Sequence, residues 1–543
     1  MNKILKTAIL LIFAHGAFAQ KLTEPTVSLP TFKKDTVSIT AFGAISGGGH
    51  LNTESINQAI DQTHSRGGGV VLIPAGVWLS GPITLKSNVN LHLAVNALLQ
   101  FTKDFSQYPL VQTSWEGIPQ MRNQSPIWAL NQQNIAITGK GIIDGNGDAW
   151  RMVKKAKMTE TQWKKLISSG GVLNEKGDIW YPSQSSLKGA SLKDPGLVDK
   201  GKNTKFYQDI KDYLRPNMIL LEKCERILLE GVTFQNSAAW NIHPLMSSDL
   251  TIRNINVRNP WYSQNGDGLD IESCKNVLVE QSTFDVGDDA ICIKSGRNEA
   301  GRERGMPTEN LWVRNCMVYH AHGGFVVGSE MSGGARNLYV DNCTFIGTDI
   351  GLRFKTTRGR GGVVENVHIN NIFMKDIPGE AILFDMYYEA KDPIVLSGEH
   401  REPPKVEVLP VTEETPQFKD IYINNVLCDG AAKAVFIRGL PEMHIQNIQL
   451  NKLDMIAQQG IDIQEASDIT LQDVKLQIDN NSKQIAYILN SNRVNLGQIE
   501  VKNADTFHLQ GARSAAIKVQ GLKGAKPIIK ADFGANKNMI NIN

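Results

Sequence analysis

The sequence predicts an all-β protein built as a single right-handed parallel β-helix, a solenoid with an N-terminal capping helix and long loop insertions. Three observations support this prediction. One phrase of alternating apolar and polar residues recurs along much of the chain at intervals of about 25 residues. Each recurrence holds several short strands. No long amphipathic helix lies between the strands, which argues against an α/β barrel.

The repeat is clearest from about residue 220 onward. Most steps between successive opening strands are 21 to 34 residues, and one step of 54 residues must contain an insertion. A β-propeller, the competing repeat architecture, has blades of about 40 residues, so the shorter step favours the β-helix. The opening strands begin at Leu250, Val277, Leu311, Leu338, Val367, Ile421, Ile448, Ile469 and Val494.

The N-terminal part of the chain is expected to comprise a leader, a linker and a capped solenoid. Residues 1–19 have a basic start, a short apolar run and the cleavage site Ala17-Phe18-Ala19, as a secretory signal peptide does. A linker over 20–36 then leads into the β-helix, which we expect over 37–515. The amphipathic pattern at 51–65 predicts a helix that caps the open end of the solenoid, since terminal repeats must cover their core.

Long insertions interrupt the repeat where the alternation is lost. The first is rich in Lys, Ser and Gly and has a helix-like piece at 158–166, and the last contains several prolines. Residues 516–543 form either the C-terminal end of the solenoid or a tail. The insertions are expected at about 148–213, 296–310 and 389–420.

The charge balance and the leader limit the partners. The chain has 57 Lys and Arg against 55 Asp and Glu, a net charge of +2, which argues against a nucleic-acid partner. No stretch after the leader is long and apolar enough to cross a membrane. We therefore expect an exported protein, periplasmic or secreted, that is free of the membrane once the signal is cleaved.

The six cysteines are expected to be buried free thiols. They fall one or two per repeat, often within a strand pattern, and show no metal-type C-x-x-C spacing. Disulfides are the alternative, because an exported protein meets oxidising conditions.

Four consecutive rungs align on one strand. In each, the second and fourth residues are apolar and are expected to point into the solenoid, whereas the third and fifth point outward. The aligned segments are GLDIES (268–273), AICIKS (290–295), GFVVGS (324–329) and GLRFKT (351–356).

Polar residues at these rungs are expected to converge on one outer patch. Asp267 falls in register with Asp289 one rung later, and Asp288 falls in register with His322 one rung further on. Two cations project from the next rung on the same face. Any one of these residues could be a satisfied or solvated side chain, but together they predict a site. The patch comprises Asp267, Asp288, Asp289, His322, Arg353 and Lys355.

The chemistry of this patch fits glycoside hydrolysis. Crowded carboxylates separate their pKa values, so that one keeps a proton and can act as an acid while the others stay ionised. One acid can then protonate the leaving oxygen while a carboxylate activates water. Because Arg353 and Lys355 suit a carboxylate on the substrate, an acidic sugar polymer is the expected substrate class.

At these residues the sequence resembles glycoside hydrolase family 28, the polygalacturonases. The family has four short signatures, N-x-D, D-D, H-G and R-x-K, and all four occur here in the family's order and at similar spacing. A family tyrosine that follows R-x-K matches Tyr388 best, with Tyr387 as the alternative. The resemblance covers roughly residues 38–510. The signatures are Asn265-Gly266-Asp267, Asp288-Asp289, His322-Gly323 and Arg353-Phe354-Lys355.

The resemblance implies hydrolysis of α-1,4-galacturonosyl bonds in pectic polysaccharide or oligogalacturonides, with inversion and without a metal or cofactor. A rung spacing of about 5 Å would by itself look closer to a retaining enzyme, so inversion is implied by the resemblance alone. The implied roles are general acid for Asp288, water activation for Asp267 and Asp289, tuning of the acid for His322, orientation of neighbouring groups for Asn265, and galacturonate binding for Arg353, Lys355 and Tyr388.

Three rival functions stay open at this point. A pectate or pectin lyase would need a calcium-binding carboxylate cluster, and its activity would be lost in EDTA. A non-catalytic carbohydrate-binding β-helix would more often show aromatic platforms on its outer face. A relative acting on rhamnogalacturonan would leave Arg353 and Lys355 unpaired against a neutral sugar.

The insertions further predict an exo mode of attack that releases galacturonic acid from a chain end. A plain solenoid offers an open groove, but here long insertions lie next to the active rungs. The segment at 296–310 leaves directly from the strand after Asp288-Asp289, so it must rise beside the cleft. Three arginines on it, Arg297, Arg302 and Arg304, could clamp the carboxylate of a terminal sugar.

Overall fold

The computed structural model describes residues 26–388, 407–479 and 482–543. The signal peptide expected over 1–19 lies outside these residues, as does the greater part of the insertion expected at 389–420. Among the described residues, no helix is long and apolar enough to cross a membrane.

The chain forms the predicted single right-handed parallel β-helix. Among the described residues, one parallel sheet of 34 strands winds around the solenoid, and each strand pairs with the equivalent strand of the next rung. The strands fall into three faces, which we call the cleft sheet, the second sheet and the third sheet. The short strands of the cleft sheet are Ile83–Thr84, Ile127–Leu130, Ile219–Glu222, Ile242–Leu245, Leu269–Glu272, Ile291–Lys294, Phe325–Val327, Leu352–Lys355, Gln484–Leu489, Thr506–Gln510 and Ile528–Asp532.

The other two faces complete each rung. In the C-terminal half several strands continue around the corners from one face to the next. The second sheet contains Thr36–Ser38, Gly69–Ile73, Val89–Leu93, Gln133–Gly139, Glu225–Glu230, Ser248–Arg253, Lys275–Glu280, Thr308–Arg314, Ile517–Gln520 and Ile540–Ile542. The third sheet contains Gly76–Ser80, Ala97–Phe101, Ile142–Asp144, Thr233–Gln235, Asn256–Arg258, Thr283–Asp285 and Met317–Val318. The strands that span more than one face are Ala335–Ile346, Val363–Asp385, Gln417–Arg438, Ile445–Gln464, Ala466–Ile478 and Asn492–Lys502.

The register of the second sheet confirms the repeat that was identified in the sequence. Every predicted opening residue pairs with its counterpart on the next rung, from Leu250 with Val277 at one end to Ile469 with Val494 at the other. The 54-residue step falls between Val367 and Ile421, which pair directly despite the intervening insertion.

The two ends of the solenoid differ. At the N-terminal end, the helix Thr53–Ser65 lies where the sequence predicted a cap, and it buries Ile56, Ala59 and Ile60. At the C-terminal end, residues 516–543 carry strands that pair with the preceding rungs, so the solenoid continues to Ile542.

The insertions carry secondary structure of their own. The helix-like piece predicted at 158–166 is the helix Glu160–Ser168, which packs beside a small antiparallel sheet of Val153–Lys154, Val172–Leu173 and Ile179–Tyr181. The remaining α-helices are Gln184–Ala190, Thr204–Asp209 and Asn298–Arg304, and the 3-10 helices are Ile39–Phe42, Phe105–Gln107, Gly147–Ala149, Lys155–Lys157, Lys211–Tyr213 and Lys537–Met539.

Two insertions end earlier in the sequence than expected. The strand Thr308–Arg314 begins before the expected end of the 296–310 insertion, and the strand Gln417–Arg438 begins before residue 420. Both strands pair with the strand of the preceding rung from their first or second residue onward, which satisfies their backbone hydrogen-bonding groups.

An antiparallel hairpin was not predicted. Its strands are Leu110–Trp115 and Ile118–Asn123, and they pair outside the solenoid. In the sequence, the hairpin lies between a strand of the third sheet and the next strand of the cleft sheet. That cleft strand is three rungs before Leu269–Glu272. The repeat was identified mainly from about residue 220 onward, so it did not cover this segment.

Side chains stack from rung to rung both inside and at the turns. Asn310, Asn337 and Asn366 each donate a side-chain hydrogen bond to the asparagine one rung below, beginning with Asn276. All four have positive φ, which asparagine tolerates better than most residues. The six cysteines are buried free thiols, as predicted.

The core contains an aromatic stack directly beneath the rung that carries Arg353 and Lys355, which we call the cationic rung. Phe354 is fully buried, and its ring lies 4.5 Å from that of Phe384, nearly parallel to it. Phe418 meets Phe354 edge-on at 6.1 Å. Phe354 therefore faces inward, as predicted for this position.

We expect Phe354→Ala to lower the free energy of unfolding by about 3–5 kcal/mol, because it leaves a cavity beneath the ring of Phe384. Phe354→Leu should cost less, since it refills part of that volume. The matched control is Phe373→Ala, whose ring is 39% exposed on the outer face. Denaturant unfolding gives the comparison, and equal losses for Phe354→Ala and Phe373→Ala would contradict the expected role of the stack.

Candidate active site

The three aspartates predicted to converge do so. One carboxylate oxygen from each of Asp267, Asp288 and Asp289 lies within 4.8 Å of the other two. The pairing of Asp270 with Cys292 sets Asp267 beside Asp289, and the pairing of Ile291 with Phe325 continues the register to the next rung. The backbone hydrogen bonds of the cleft sheet therefore assemble the cluster.

Asp288 and His322 form the exposed edge of the cluster. The His322 backbone N–H donates to the Asp288 carbonyl at 3.0 Å, and a hydrogen bond of 3.1 Å joins the His322 Nδ1 to the Asp288 carboxylate. This bond raises the pKa of His322 above its ordinary value. The side chain of Asp288 is 22% exposed, so solvent and substrate can reach it.

Asp289 lies beneath this edge, against the two predicted cations. Lys355 Nζ donates to Asp289 Oδ2 at 2.7 Å, and Arg353 Nη1 lies 3.4 Å from Oδ1. Burial acts to raise the pKa of Asp289, but Lys355 and Arg353 outweigh it and hold the pKa below its usual range. Asp289 is therefore ionised.

The two cations differ in exposure. Both point away from the solenoid interior as predicted, but Lys355 is only 6% exposed and packs against Tyr388. The side chain of Arg353 is 17% exposed. Lys355 is therefore packed against Asp289, so its replacement would disturb the packing around this carboxylate.

Tyr388 is the tyrosine that accompanies the cations. Its ring centre lies 4.8 Å from Lys355 Nζ and 5.8 Å from the Arg353 guanidinium. Tyr387, the alternative, is buried against Arg358 and Arg438 instead. The structure thus favours Tyr388 for the position after the R-x-K signature.

Asp267 has an environment opposite to that of Asp289. It is 3% exposed, and its Oδ1 has no hydrogen-bond partner. Burial, with repulsion from Asp270 and Asp288, raises the pKa of Asp267 well above its usual range. The fully buried Asp270 lies 3.5 Å from Lys294 Nζ, and burial raises its pKa in the same direction.

Asn265 is held in place by an arginine that the sequence analysis missed. Arg215 Nη2 donates to Asn265 Oδ1 at 2.9 Å, and its Nη1 donates to the carbonyls of Ala238 and Gln264. Asn265 itself has φ 52°. Arg215 follows a long insertion as an isolated cation, so no periodic pattern marked it.

Two of the three arginines proposed as a uronate clamp, Arg302 and Arg304, contact the protein itself. Arg304 Nη1 donates to the buried carboxylate of Glu272 at 2.5 Å. Arg302 Nη1 donates to the carbonyl of Gly359 at 2.7 Å, and its Nη2 lies 3.4 Å from Glu414. Neither joins the aspartate cluster, so the structure does not support the clamp.

The unpredicted hairpin forms a wall beside the cluster. Trp115 of the hairpin stacks on Trp240 at 4.7 Å, and Trp240 lies one rung before Asp267 in the solenoid. Lys294 Nζ lies 4.5 Å from the Trp240 ring centre and 3.0 Å from Glu330. A continuous layer of side chains therefore runs from the hairpin to the acidic residues. Neither tryptophan belongs to a signature, and only the fold brings them together.

The carboxylates could also accept a cation on geometric grounds, since three oxygens within 4.8 Å suit a hard metal ion. Two of the ligand positions on Asp289, however, already face Lys355 and Arg353. Positive charge is thus supplied by the protein at this carboxylate.

Comparisons with known proteins agree with the geometry. The family model for glycosyl hydrolases family 28 matches residues 153–425, just over half of the chain. A probable polygalacturonase of Vitis vinifera is 28% identical over 421 residues, which cover 74% of this chain and 75% of that protein. An exo-poly-alpha-D-galacturonosidase of Dickeya chrysanthemi is 27% identical over 387 residues, which cover 69% of this chain and 61% of that protein.

A solved structure extends the match to the fold. The exopolygalacturonase of Thermotoga maritima is 31% identical, with a TM-score of 0.62, and the match covers 83% of this chain and 92% of that one. Together with the family model, this similarity shows that the chain belongs to glycosyl hydrolases family 28.

Proposed function

We propose that the protein hydrolyses α-1,4-galacturonosyl bonds in pectic polysaccharide or oligogalacturonides, acting from a chain end. The observation that carries the proposal is the pairing of three convergent aspartates with a cationic rung beside them. The aspartates supply acid and base, and the cations select a uronate.

Asp288 is the general acid in this proposal. A proton donor has to reach the oxygen of the glycosidic bond, and the Asp288 side chain is 22% exposed, against 2% for Asp289. His322 contacts Asp288 from the solvent side and holds its carboxylate in position. Exposure within the cluster thus supports the assignment that the resemblance implied.

Asp267 and Asp289 activate the water. A water between these two carboxylates can give its proton to one of them as it attacks the sugar. Asp289 is kept ionised by its cations, whereas Asp267 tends to keep a proton in the free enzyme. The ionisation of Asp267 is therefore expected to limit activity on the acidic side of the pH profile.

Arg353 and Tyr388 hold the carboxylate of the galacturonate in the leaving-side subsite. Arg353 is the more exposed of the two cations and lies on the rung after that of His322, two rungs beyond Asp288 and Asp289. Lys355 supports the same subsite from beneath and fixes Asp289. Asn265, fixed by Arg215, orients groups on the opposite side of Asp267.

The hairpin supports an exo mode. The hairpin begins at the edge of the cleft sheet where the cleft strands start. Its tip contacts Arg297, which follows the C-terminal end of the cleft strand Ile291–Lys294. It therefore crosses the groove on the N-terminal side of the acids. If Arg353 binds the leaving side, the blocked side receives the non-reducing terminal sugar.

The same proposal places the protein outside the cytoplasm, in the periplasm or secreted. It rests on the leader-like residues 1–19 and on a substrate polymer that belongs to plant cell walls.

We expect Asp288→Asn to lower kcat by about 10²–10⁴ while the β-helix stays folded, because the amide has no proton to give. The matched control is Asp285→Asn. Asp285 ends the strand that leads into the turn of Asp288, and its carboxylate also contacts a histidine, His320, at 3.1 Å. Initial rates of reducing-sugar release on polygalacturonate, with circular dichroism for folding, make the comparison. A folded Asp288→Asn enzyme with near-normal turnover would move the acid role elsewhere.

We expect Asp267→Asn to abolish activity and yet raise Tm at pH 7 to 8. The folded-state pKa of Asp267 is raised, so the folded protein binds more protons than the unfolded chain and loses stability as pH rises through that pKa. The neutral amide avoids this loss, so the difference in Tm should shrink as pH falls toward about 4, the ordinary pKa of aspartate. A Tm difference that is independent of pH would contradict the raised pKa.

We expect the wild-type enzyme to release monomer from the first minutes of reaction, while polygalacturonate solution stays viscous. The blocked groove admits only a chain end, so internal bonds are not reached. Chromatography of a time course beside viscometry measures both quantities. Early mid-sized oligomers with a steep fall in viscosity would show an open groove.

A further inference from the structure

The tip of the hairpin is fastened to the far side of the cleft by a compact set of contacts. We propose that this tip latch, formed by Glu116 and Gly117 with Arg297, Arg304 and Glu272, is the device that restricts the enzyme to chain ends. The inference rests on the proposed exo hydrolysis and names the residues that impose it. They act by positioning the hairpin and touch no reacting atom.

The first half of the latch joins the tip to Arg297. The Arg297 backbone N–H donates to the Gly117 carbonyl at 3.2 Å, and its guanidinium lies 3.2 Å from the Glu116 carboxylate. Gly117 has φ +77°, and a Cβ added there would meet the Arg297 nitrogen at 2.5 Å. Only glycine therefore lets the tip approach this closely.

The second half anchors the tip to the floor of the cleft. Arg304 Nη2 lies 3.5 Å from both the Gly117 carbonyl and the Ser114 hydroxyl, while Nη1 donates to Glu272. Glu272 is fully buried on the cleft strand that follows Asp267. Arg304 thus ties the hairpin to the same strand that positions the acids.

A buried histidine fixes the carboxylate that receives Arg304. His243 is completely buried, and its Nε2 lies 2.9 Å from Glu272 Oε2, while its Nδ1 lies 3.0 Å from Asn217 Nδ2. Both oxygens of Glu272 are therefore engaged. This series of side-chain contacts, from Asn217 through His243 and Glu272 to Arg304, runs across neighbouring strands of the cleft sheet beneath the hairpin. The catalytic proposal assigns no role to these buried groups.

The base of the hairpin is held separately from its tip. The Met121 N–H donates to the Gly196 carbonyl at 2.8 Å and the Asn123 N–H to the Leu214 carbonyl at 3.1 Å, so the insertion at 148–213 and the residues just after it support the base. Breaking the latch should therefore release the tip while the hairpin stays attached. A released tip would let a polymer continue through the groove.

The experiment compares Gly117→Val and Arg304→Gln with wild type, with Arg314→Gln as the matched control. Arg314 pairs with Glu280 at 2.8 Å on the second sheet, away from the cleft. On polygalacturonate, the loss of viscosity per bond cleaved should rise about tenfold or more in both latch variants, because the open tip becomes the populated state. Turnover of digalacturonate by Gly117→Val and the product pattern of Arg314→Gln should stay as in wild type.

The outcomes separate this inference from the proposed function. If wild type releases monomer and folded latch variants still release only monomer, the latch is not the restricting device. If wild type itself produces mid-sized oligomers first, the proposed exo mode fails. Should Arg304→Gln not fold, Gly117→Val decides alone, since its substitution lies in the hairpin turn and leaves the buried Glu272 and Arg304 paired.

Discussion

The candidate site depends on the backbone register between stacked rungs. Parallel strands about 4.8 Å apart leave no freedom in which residues become neighbours, because each strand pairs with the equivalent strand one turn away. Asp267 meets Asp289 only because Asp270 pairs with Cys292, and His322 meets Asp288 only because Ile291 pairs with Phe325. A shift of one residue on any of these strands would turn the polar set inward.

Within that frame, neighbouring charges give chemically identical carboxylates different states. Asp289 forms ion pairs with Lys355 and Arg353, which keep its carboxylate ionised. Asp267 is buried and one of its oxygens has no hydrogen-bond partner, so its pKa is raised and it tends to hold a proton. Asp288 alone stays accessible to a substrate among the three. The hairpin then adds a wall of Trp115 and Trp240 that shapes the groove around this chemistry.

The features that could be predicted from the sequence are those that the repeat or a short motif encodes. The opening strands from Leu250 to Val494 were predicted in their exact pairing, and the signatures around Asp267, Asp288 and Arg353 led to the cluster. Residues that act from outside the repeat were missed, such as Arg215 behind Asn265 and Trp115 on the hairpin. Arg304 was also assigned to a substrate carboxylate, because nothing local shows that Glu272 is buried and needs a cation.

The stereochemistry of the reaction tests the account most directly, because the two lines of argument for it differ. Carboxylate oxygens within 4.8 Å are closer than the roughly 6.5–9.5 Å typical of inverting enzymes, whereas the family resemblance implies inversion through a water held by Asp267 and Asp289. Proton NMR of trigalacturonate during its first turnovers shows which anomer is released. The account predicts that the β-anomer of the new reducing end forms first and then mutarotates. Initial release of the α-anomer would contradict it, because one of the aspartates would then have to attack the sugar directly.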